Sequence, residues 1–253
     1  MTGTLRRLLR PLKPLLGPVW RRLDPLVSRD APRSIPTLAG RATDAVRELA
    51  RRARRRPQPS IRPLRNHELV ELGVEEPYYR PRRVYLSAAA AAARELIDRR
   101  QLRTALELGP HLRPLIVGAD VMDIVRNDAL RAEGRRIIHD ATAVPWPFDD
   151  KAYDLFVALQ VFEHLGDRQP EAFREVRRIA RHAILSLPID WVMADPANCH
   201  HGLTHERALA WFAPVVPTRI LVGNPGHRKR LLYVFEDLPA PAGLPHAAAR
   251  RDR

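Results

Sequence analysis

Between Thr104 and Pro188 one arrangement recurs: a short apolar run meets a polar or acidic residue at its end. Ala105-Leu106-Glu107-Leu108 leads into Gly109-Pro110-His111, Ala119-Asp120-Val121-Met122 ends at Asp123, and Ile137-Ile138-His139 ends at Asp140. Asp154 opens Leu155-Phe156-Val157-Ala158-Leu159, and Gln160 follows it. Apolar strands with polar groups at their carboxyl ends are how an open α/β sheet builds a ligand crevice. Helix signals alternate with these strands. Ser87–Arg100 combines a serine N-cap with six consecutive alanines, Pro170–Arg181 has proline at its first position, and Thr204 caps Glu206–Phe212 ahead of Pro214. Ala183–Leu187 reads as a strand stopped by Pro188, and Arg219–Val222 with Leu231–Phe235 as a closing antiparallel pair. Strands alternating with helices predict an α/β fold around a mostly parallel sheet.

Three segments in this order and spacing resemble the class I S-adenosylmethionine-dependent methyltransferases, in their compact type 11 form. They are Leu106-Glu107-Leu108-Gly109-Pro110, then His139-Asp140-Ala141-Thr142 leading into Pro145-Trp146-Pro147-Phe148, then Tyr153-Asp154-Leu155 running to Val161-Phe162-Glu163-His164-Leu165. The resemblance covers roughly residues 84–236. It implies a Rossmann-like sheet with helices on both faces, S-adenosylmethionine as cofactor, and methyl transfer to an acceptor that the sequence does not identify, with a small molecule, sugar or lipid favoured.

Carried over residue by residue, the resemblance puts Glu107, Gly109 and Pro110 at the cofactor's methionine end. Gly109 lets backbone approach a ligand with no Cβ in the way, or it is an ordinary strand-to-loop glycine. The family's second glycine is replaced by His111, and the eleven residues between His111 and Asp123 hardly hold a crossover helix. Asp123 fits the ribose hydroxyls, with Asp120 as its competitor. Asp140 would accept from the adenine amino group beside Ala141, or serve as a turn aspartate. Gln160 would sit beside the methyl group. Tyr78, Tyr79 and Tyr85 fall in a Pro/Arg-rich segment expected to fold over the cofactor site.

The candidate catalytic residues are histidines. His164 belongs to the Glu-His-Leu signature, as a base or as helix packing. His201 and His205 lie in Asn198-Cys199-His200-His201-Gly202-Leu203-Thr204-His205, a loop expected either to face the acceptor, with one of them as base, or simply to cap the helix that follows. Its spacing matches no zinc template, so no metal is expected.

Charge sets the N-terminal region apart. Residues 1–65 hold 17 basic and 4 acidic side chains, net +13, against a formal +14 for all 253 residues. The boundaries expected are a basic extension at 1–65, a methyltransferase-like domain at 66–238 and a frayed tail at 239–253. In the extension, Leu5–Leu23 alternates leucine with arginine as a membrane-surface segment does, although Pro11, Pro14 and Pro18 break it into pieces or leave it a solvated arm. Thr43–Arg56 reads as a basic helix, and Pro57, Pro59 and Pro63 as a stiff linker. The single cysteine, Cys199, excludes an intramolecular disulfide framework, and arginines and prolines interrupt every apolar core near Met1. A cytoplasmic location is expected, with residues 1–65 against an anionic membrane. Nucleic acid is not an expected partner, because the core carries no aromatic or lysine-rich readout surface. The opposing expectation is a methyltransferase-like domain without activity, serving as an interaction module.

Overall fold

A computed structural model describes residues 61–225 and 228–241. The chain divides into Met1–Arg56 and Pro57–Arg253, and every described residue lies in the second unit. The basic segment up to residue 60, including the expected helix at Thr43–Arg56, lies outside the described residues.

Seven strands form one sheet in the order β5-β4-β2-β6-β7-β9-β8: Arg136–Ile138, Asp120–Asp123, Ala105–Leu108, Tyr153–Leu159, Ala180–Pro188, Arg230–Phe235 and Arg219–Asn224. The first five are parallel, while β9 runs antiparallel to β7 and β8 as the expected closing pair. Because strand side chains alternate, each central strand feeds two cores. Phe156 and Ala158 of β6, Leu185 and Leu187 of β7 and Tyr233 and Phe235 of β9 enter one. Leu155, Val157, Ile184, Leu232 and Val234 enter the other. Two helices fill the second core, α1 (Asn66–Glu75) through Leu69 and Leu72, and α2 (Arg83–Arg100) through Tyr85, Ala89, Ala93 and Leu96. The first core takes α3 (Gln169–Ile179) through Phe173 and Val176, and α4 (His205–Phe212) through Ala208 and Phe212. The fold is the Rossmann-like mostly parallel sheet with helices on both faces.

Two element boundaries depart from the sequence reading. Helix α2 begins at Arg83, directly after a 3₁₀ turn at Arg80–Arg82, so Ser87 lies inside it and caps nothing. An N-cap contributes about 1 kcal/mol, whereas burying a large apolar side chain contributes roughly 1.5–3 kcal/mol. Tyr85 and Leu86 are both buried, so the added turn wins. Helix α3 stops at Ile179 rather than Arg181, because Ala180 already pairs with Tyr153 across the sheet.

No helix joins β2 to β4 among the described residues. The two-residue strand β3 (Ile116–Val117) lies there instead and pairs antiparallel with β1 (Arg62–Pro63). Ile61 and Leu64 flank β1 and are buried with Leu115, Ile116 and Ala119. Residues 61–64 therefore pack within the folded unit, supplying the cover that a crossover helix would otherwise give. Glu68 ties them down: its carboxylate accepts from the Arg65 amide at 2.8 Å and pairs with Arg62 at 2.7 Å and Arg113 at 2.9 Å. The hydrogen bond from Arg62 leads in lowering that carboxyl to about 2. No described helix is long and apolar enough to cross a membrane.

Candidate active site

The carboxyl ends of β2, β4, β5 and β6 carry the residues expected to hold the cofactor. Gly109 follows β2 with φ +62°, and a Cβ there would come within 3.1 Å of Val161 Cγ2. Both conformation and contact therefore call for glycine. Its amide donates to the Met122 carbonyl at 2.9 Å, fixing the turn against the end of β4. Asp123 closes β4, where the Val125 amide contacts its Oδ1 at a long 3.4 Å. It borders a cavity of about 220 Å³ together with Val121, Ile137 and Ile138. Asp120 is its opposite. At the start of β4 it accepts from the Arg135 amide at 2.8 Å, Arg135 Nε at 2.9 Å and the Tyr153 hydroxyl at 2.9 Å. Asp123, and not Asp120, stands at the carboxyl end of β4.

Asp140 sits in the turn after β5, where its Oδ1 accepts from the Thr142 amide and hydroxyl, both at 2.8 Å. Those bonds, the amide's first, hold its carboxyl below the usual range. The Trp146 indole donates to the Ala141 carbonyl at 3.0 Å, and the Trp146 amide donates to Glu175 at 2.7 Å, so the Pro145–Phe148 loop braces this turn.

Glu107 lines the same small space as Gly109 and Pro110, from its buried side. Its carboxylate is buried and accepts from the Leu115 and Ile116 amides at 2.9 and 3.0 Å. It closes the β2–β3 loop from inside the core, and burial pushes it up to about 7.

The tyrosine segment does lie over the β2 turn. Tyr78 stacks on His111 with centroids 4.2 Å apart, and the Tyr79 hydroxyl accepts from the Leu112 and Arg113 amides at 2.8 and 3.2 Å. The space left between Tyr78, Tyr79, Gly109, Pro110 and His111 is only about 40 Å³.

Tyr78 also lines a larger cavity of about 590 Å³ beyond β6 and β7, together with Gln160, His164, Trp191 and His200. Gln160 has φ +59° and its Oε1 accepts from Arg230 Nε at 2.9 Å. Three guanidiniums share this cavity: Arg82, Arg228 and Arg230. Arg82 lies 3.6 Å over Tyr78, while Arg228 and Arg230 lie 5.3 and 4.5 Å over Trp191. Among the described residues none of the three has a carboxylate ion-pair partner.

Of the expected catalytic histidines, only His164 reaches this cavity. His201 Nδ1 is 3.0 Å from the Met193 amide, which donates to it, and His205 Nδ1 is 3.0 Å from the Tyr233 hydroxyl, its ring stacked on that of Tyr233. Both brace their loop. The histidine that sequence reasoning missed is His200, stacked on Trp191 at 5.6 Å. His164 Nδ1 and His200 Nδ1 lie 3.3 and 3.6 Å from Cys199 Sγ.

Part of this region matches a known protein family. Residues 102–183 match the family model described as "Methyltransferase domain", a span that contains Gly109, Asp123, Asp140, Gln160 and His164. No curated protein sequence matches the chain. Among solved structures, a SAM-dependent methyltransferase from Methanosarcina mazei is similar at 11% identity and TM-score 0.41, over 53% of this chain and 92% of its own. The N-methyltransferase NodS from Bradyrhizobium japonicum WM9, in complex with S-adenosyl-L-homocysteine, is similar at 17% identity and TM-score 0.41, over 64% of this chain and 89% of its own. The bifunctional kinase-methyltransferase WbdD is similar at 12% identity and TM-score 0.42, over 56% of this chain and 37% of its own. Residues 102–183 thus carry a methyltransferase domain, within a sheet of the class I, S-adenosylmethionine-dependent kind.

Proposed function

We propose that the chain methylates an acceptor bearing a carboxylate or phosphate, a small molecule, sugar or lipid, bound in the 590 Å³ cavity beyond β6 and β7. The observation that carries this is the trio Arg82, Arg228 and Arg230 lining that cavity. Guanidiniums match planar anions with paired donors, and stacking on Tyr78 and Trp191 holds their planes while leaving N–H edges for a ligand. Gly109, Pro110, Asp123, Asp140, Ala141 and Gln160 would hold the cofactor, and the Cβ-free turn at Gly109 suits that use. When bound, S-adenosylmethionine supplies a methyl group on a positively charged sulfur. The protein's own task is then positioning, which can supply much of the rate. A general base is needed only where the acceptor is a hydroxyl that must lose its proton.

Arg228→Ala is expected to raise KM for an anionic acceptor roughly tenfold, about 1.5 kcal/mol, the low end for a charged hydrogen bond because Arg228 is exposed. S-adenosylhomocysteine release measured on matched anionic and neutral acceptors checks it. An equal loss on both would remove the anion from the reading.

A second reading has its own observation. The Tyr78–His111 stack leaves about 40 Å³ at the β2 turn, little room for a cofactor's methionine end. A domain that kept this closed would be an interaction module without activity.

We also propose that residues 1–65 bring the enzyme to an anionic membrane surface from the cytoplasmic side. Their net charge of +13 supports this, since each arginine near such a leaflet contributes about 1 kcal/mol and salt screens it. Full-length protein should co-sediment with anionic vesicles at low salt, lose most of that binding when salt is added, and ignore neutral vesicles. Tighter binding to duplex DNA at matched salt would favour a nucleic-acid partner instead.

A further inference from the structure

We propose that His164, Cys199 and His200 form a binding site for a zinc-class transition metal ion, with Glu163 as the carboxylate that orients His200. Their three ligand atoms all lie within 4.8 Å of one another. Cys199 Sγ is 3.3 Å from His164 Nδ1 and 3.6 Å from His200 Nδ1. With Zn–S of about 2.3 Å and Zn–N of about 2.0–2.1 Å, a tetrahedral site needs S···N edges of about 3.5 Å. Both edges fit.

The fold assembles this set from two places. His164 ends the 3₁₀ turn that follows β6, and Cys199 and His200 lie in the loop that follows β7. The parallel pairing of β6 with β7, which sets Leu159 opposite Ser186, brings the two loops together. A fixed-spacing template along the chain cannot contain such a set.

Glu163 is a second, independent observation. Its side chain is 0% exposed and neither carboxylate oxygen has a hydrogen-bond partner, yet Oε1 points at His200 Nε2 from 3.7 Å. A buried carboxylate without a donor is strongly unfavourable. With Nδ1 of His200 on a metal ion, Nε2 carries the proton and faces Glu163, which is the carboxylate–histidine–metal arrangement. One bound ion thus accounts for both the converging ligand atoms and the unpartnered carboxylate. Asn198 Oδ1, 2.8 Å from His200 Nδ1, also accepts from the His200 amide at 3.0 Å and keeps that bond when the ring nitrogen turns to the metal.

A thiolate with two imidazoles selects zinc, cobalt or copper(I) over magnesium or calcium. Three protein ligands leave a fourth position for water or substrate, as in catalytic rather than closed structural zinc sites. His164 and His200 both line the 590 Å³ cavity, so a ligand there is within reach of that position. The site goes beyond the methyltransferase reading and is measured without cofactor or acceptor.

The test is titration of chelator-stripped, full-length protein with Co(II), followed by displacement with Zn(II) under competition from a chromophoric chelator. One Co(II) per chain should bind and give a thiolate-to-metal charge-transfer band in the near ultraviolet, which Zn(II) abolishes. Cys199→Ser should remove that band, and because Cys199 is exposed the substitution leaves the fold in place. His164→Ala should weaken Zn(II) binding roughly a hundredfold, and Glu163→Gln roughly ten- to a hundredfold while keeping the band. His205→Ala should change nothing. Absence of the band in the wild type, or Zn(II) affinity unchanged in Cys199→Ser and His164→Ala, would show an adventitious ion only and overturn the site.

Discussion

Arg178→Ala is expected to destabilise the folded unit by about 3–5 kcal/mol, the cost of breaking a buried ion pair from one side. Arg178 and Glu175 have side chains only 6% and 5% exposed. Arg178 donates to Glu175 at 2.7 and 3.0 Å, to the Trp146 carbonyl at 2.9 Å, to the Phe148 carbonyl at 2.6 Å and to Asp150 at 2.9 Å. Truncation strands the Glu175 carboxylate and frees two loop carbonyls at once. Lysine cannot make this five-bond fork, so Arg178→Lys should recover only part of the loss. The Trp146 loop braces the Asp140–Ala141 turn through the indole bond to Ala141, so the near-ultraviolet circular dichroism of the variant should weaken as well. Urea unfolding measures the free energy. A change below about 1 kcal/mol, the range of surface ion pairs, would mean that the clasp is not holding the loop.

Asp123→Ala should weaken S-adenosylmethionine binding by about 1.5–3 kcal/mol, roughly ten- to a hundredfold, because a charged acceptor at the end of β4 is lost. The long 3.4 Å contact from Val125 leaves this carboxylate available to a ligand, whereas Asp120 is held by Arg135 and Tyr153. Asp120→Asn is therefore expected to reduce stability and leave cofactor affinity near wild type. Calorimetry on both variants separates the two roles, and wild-type affinity in Asp123→Ala would remove it from the site.

What was legible in the sequence follows from which signals are local. Strand β6 (Tyr153–Leu159) falls on the apolar run that Asp154 opens, and the Thr204 cap of α4 holds, its hydroxyl accepting from the Arg207 amide at 3.2 Å. These depend on neighbours in the chain. The bonds that Glu107 accepts from the Leu115 and Ile116 amides were not legible, because its acid-x-glycine setting says nothing of which face it takes. Alternation on β2 puts it with Ala105, on the side of α1 and β3, while Leu106 and Leu108 face α3. His200 and His201 are adjacent, and only the turn that ties the His201 amide to the Asn198 carbonyl at 2.8 Å decides which ring meets the cavity. Arg82, Arg228 and Arg230 come from separate segments, and in a chain with 43 basic side chains no local pattern singles them out. Ile61 and Leu64 were assigned to the extension on charge and proline content; only the missing crossover helix between β2 and β4 gives them a core to enter.

The crevice at the carboxyl ends of β2, β4, β5 and β6 is expected to bind S-adenosylmethionine despite the Tyr78–His111 contact. Isothermal titration of the full-length protein with S-adenosylmethionine tests it directly. One cofactor per chain should bind saturably, competed by S-adenosylhomocysteine. Absence of binding heat at millimolar cofactor, in protein whose near-ultraviolet circular dichroism shows an intact fold, would contradict it.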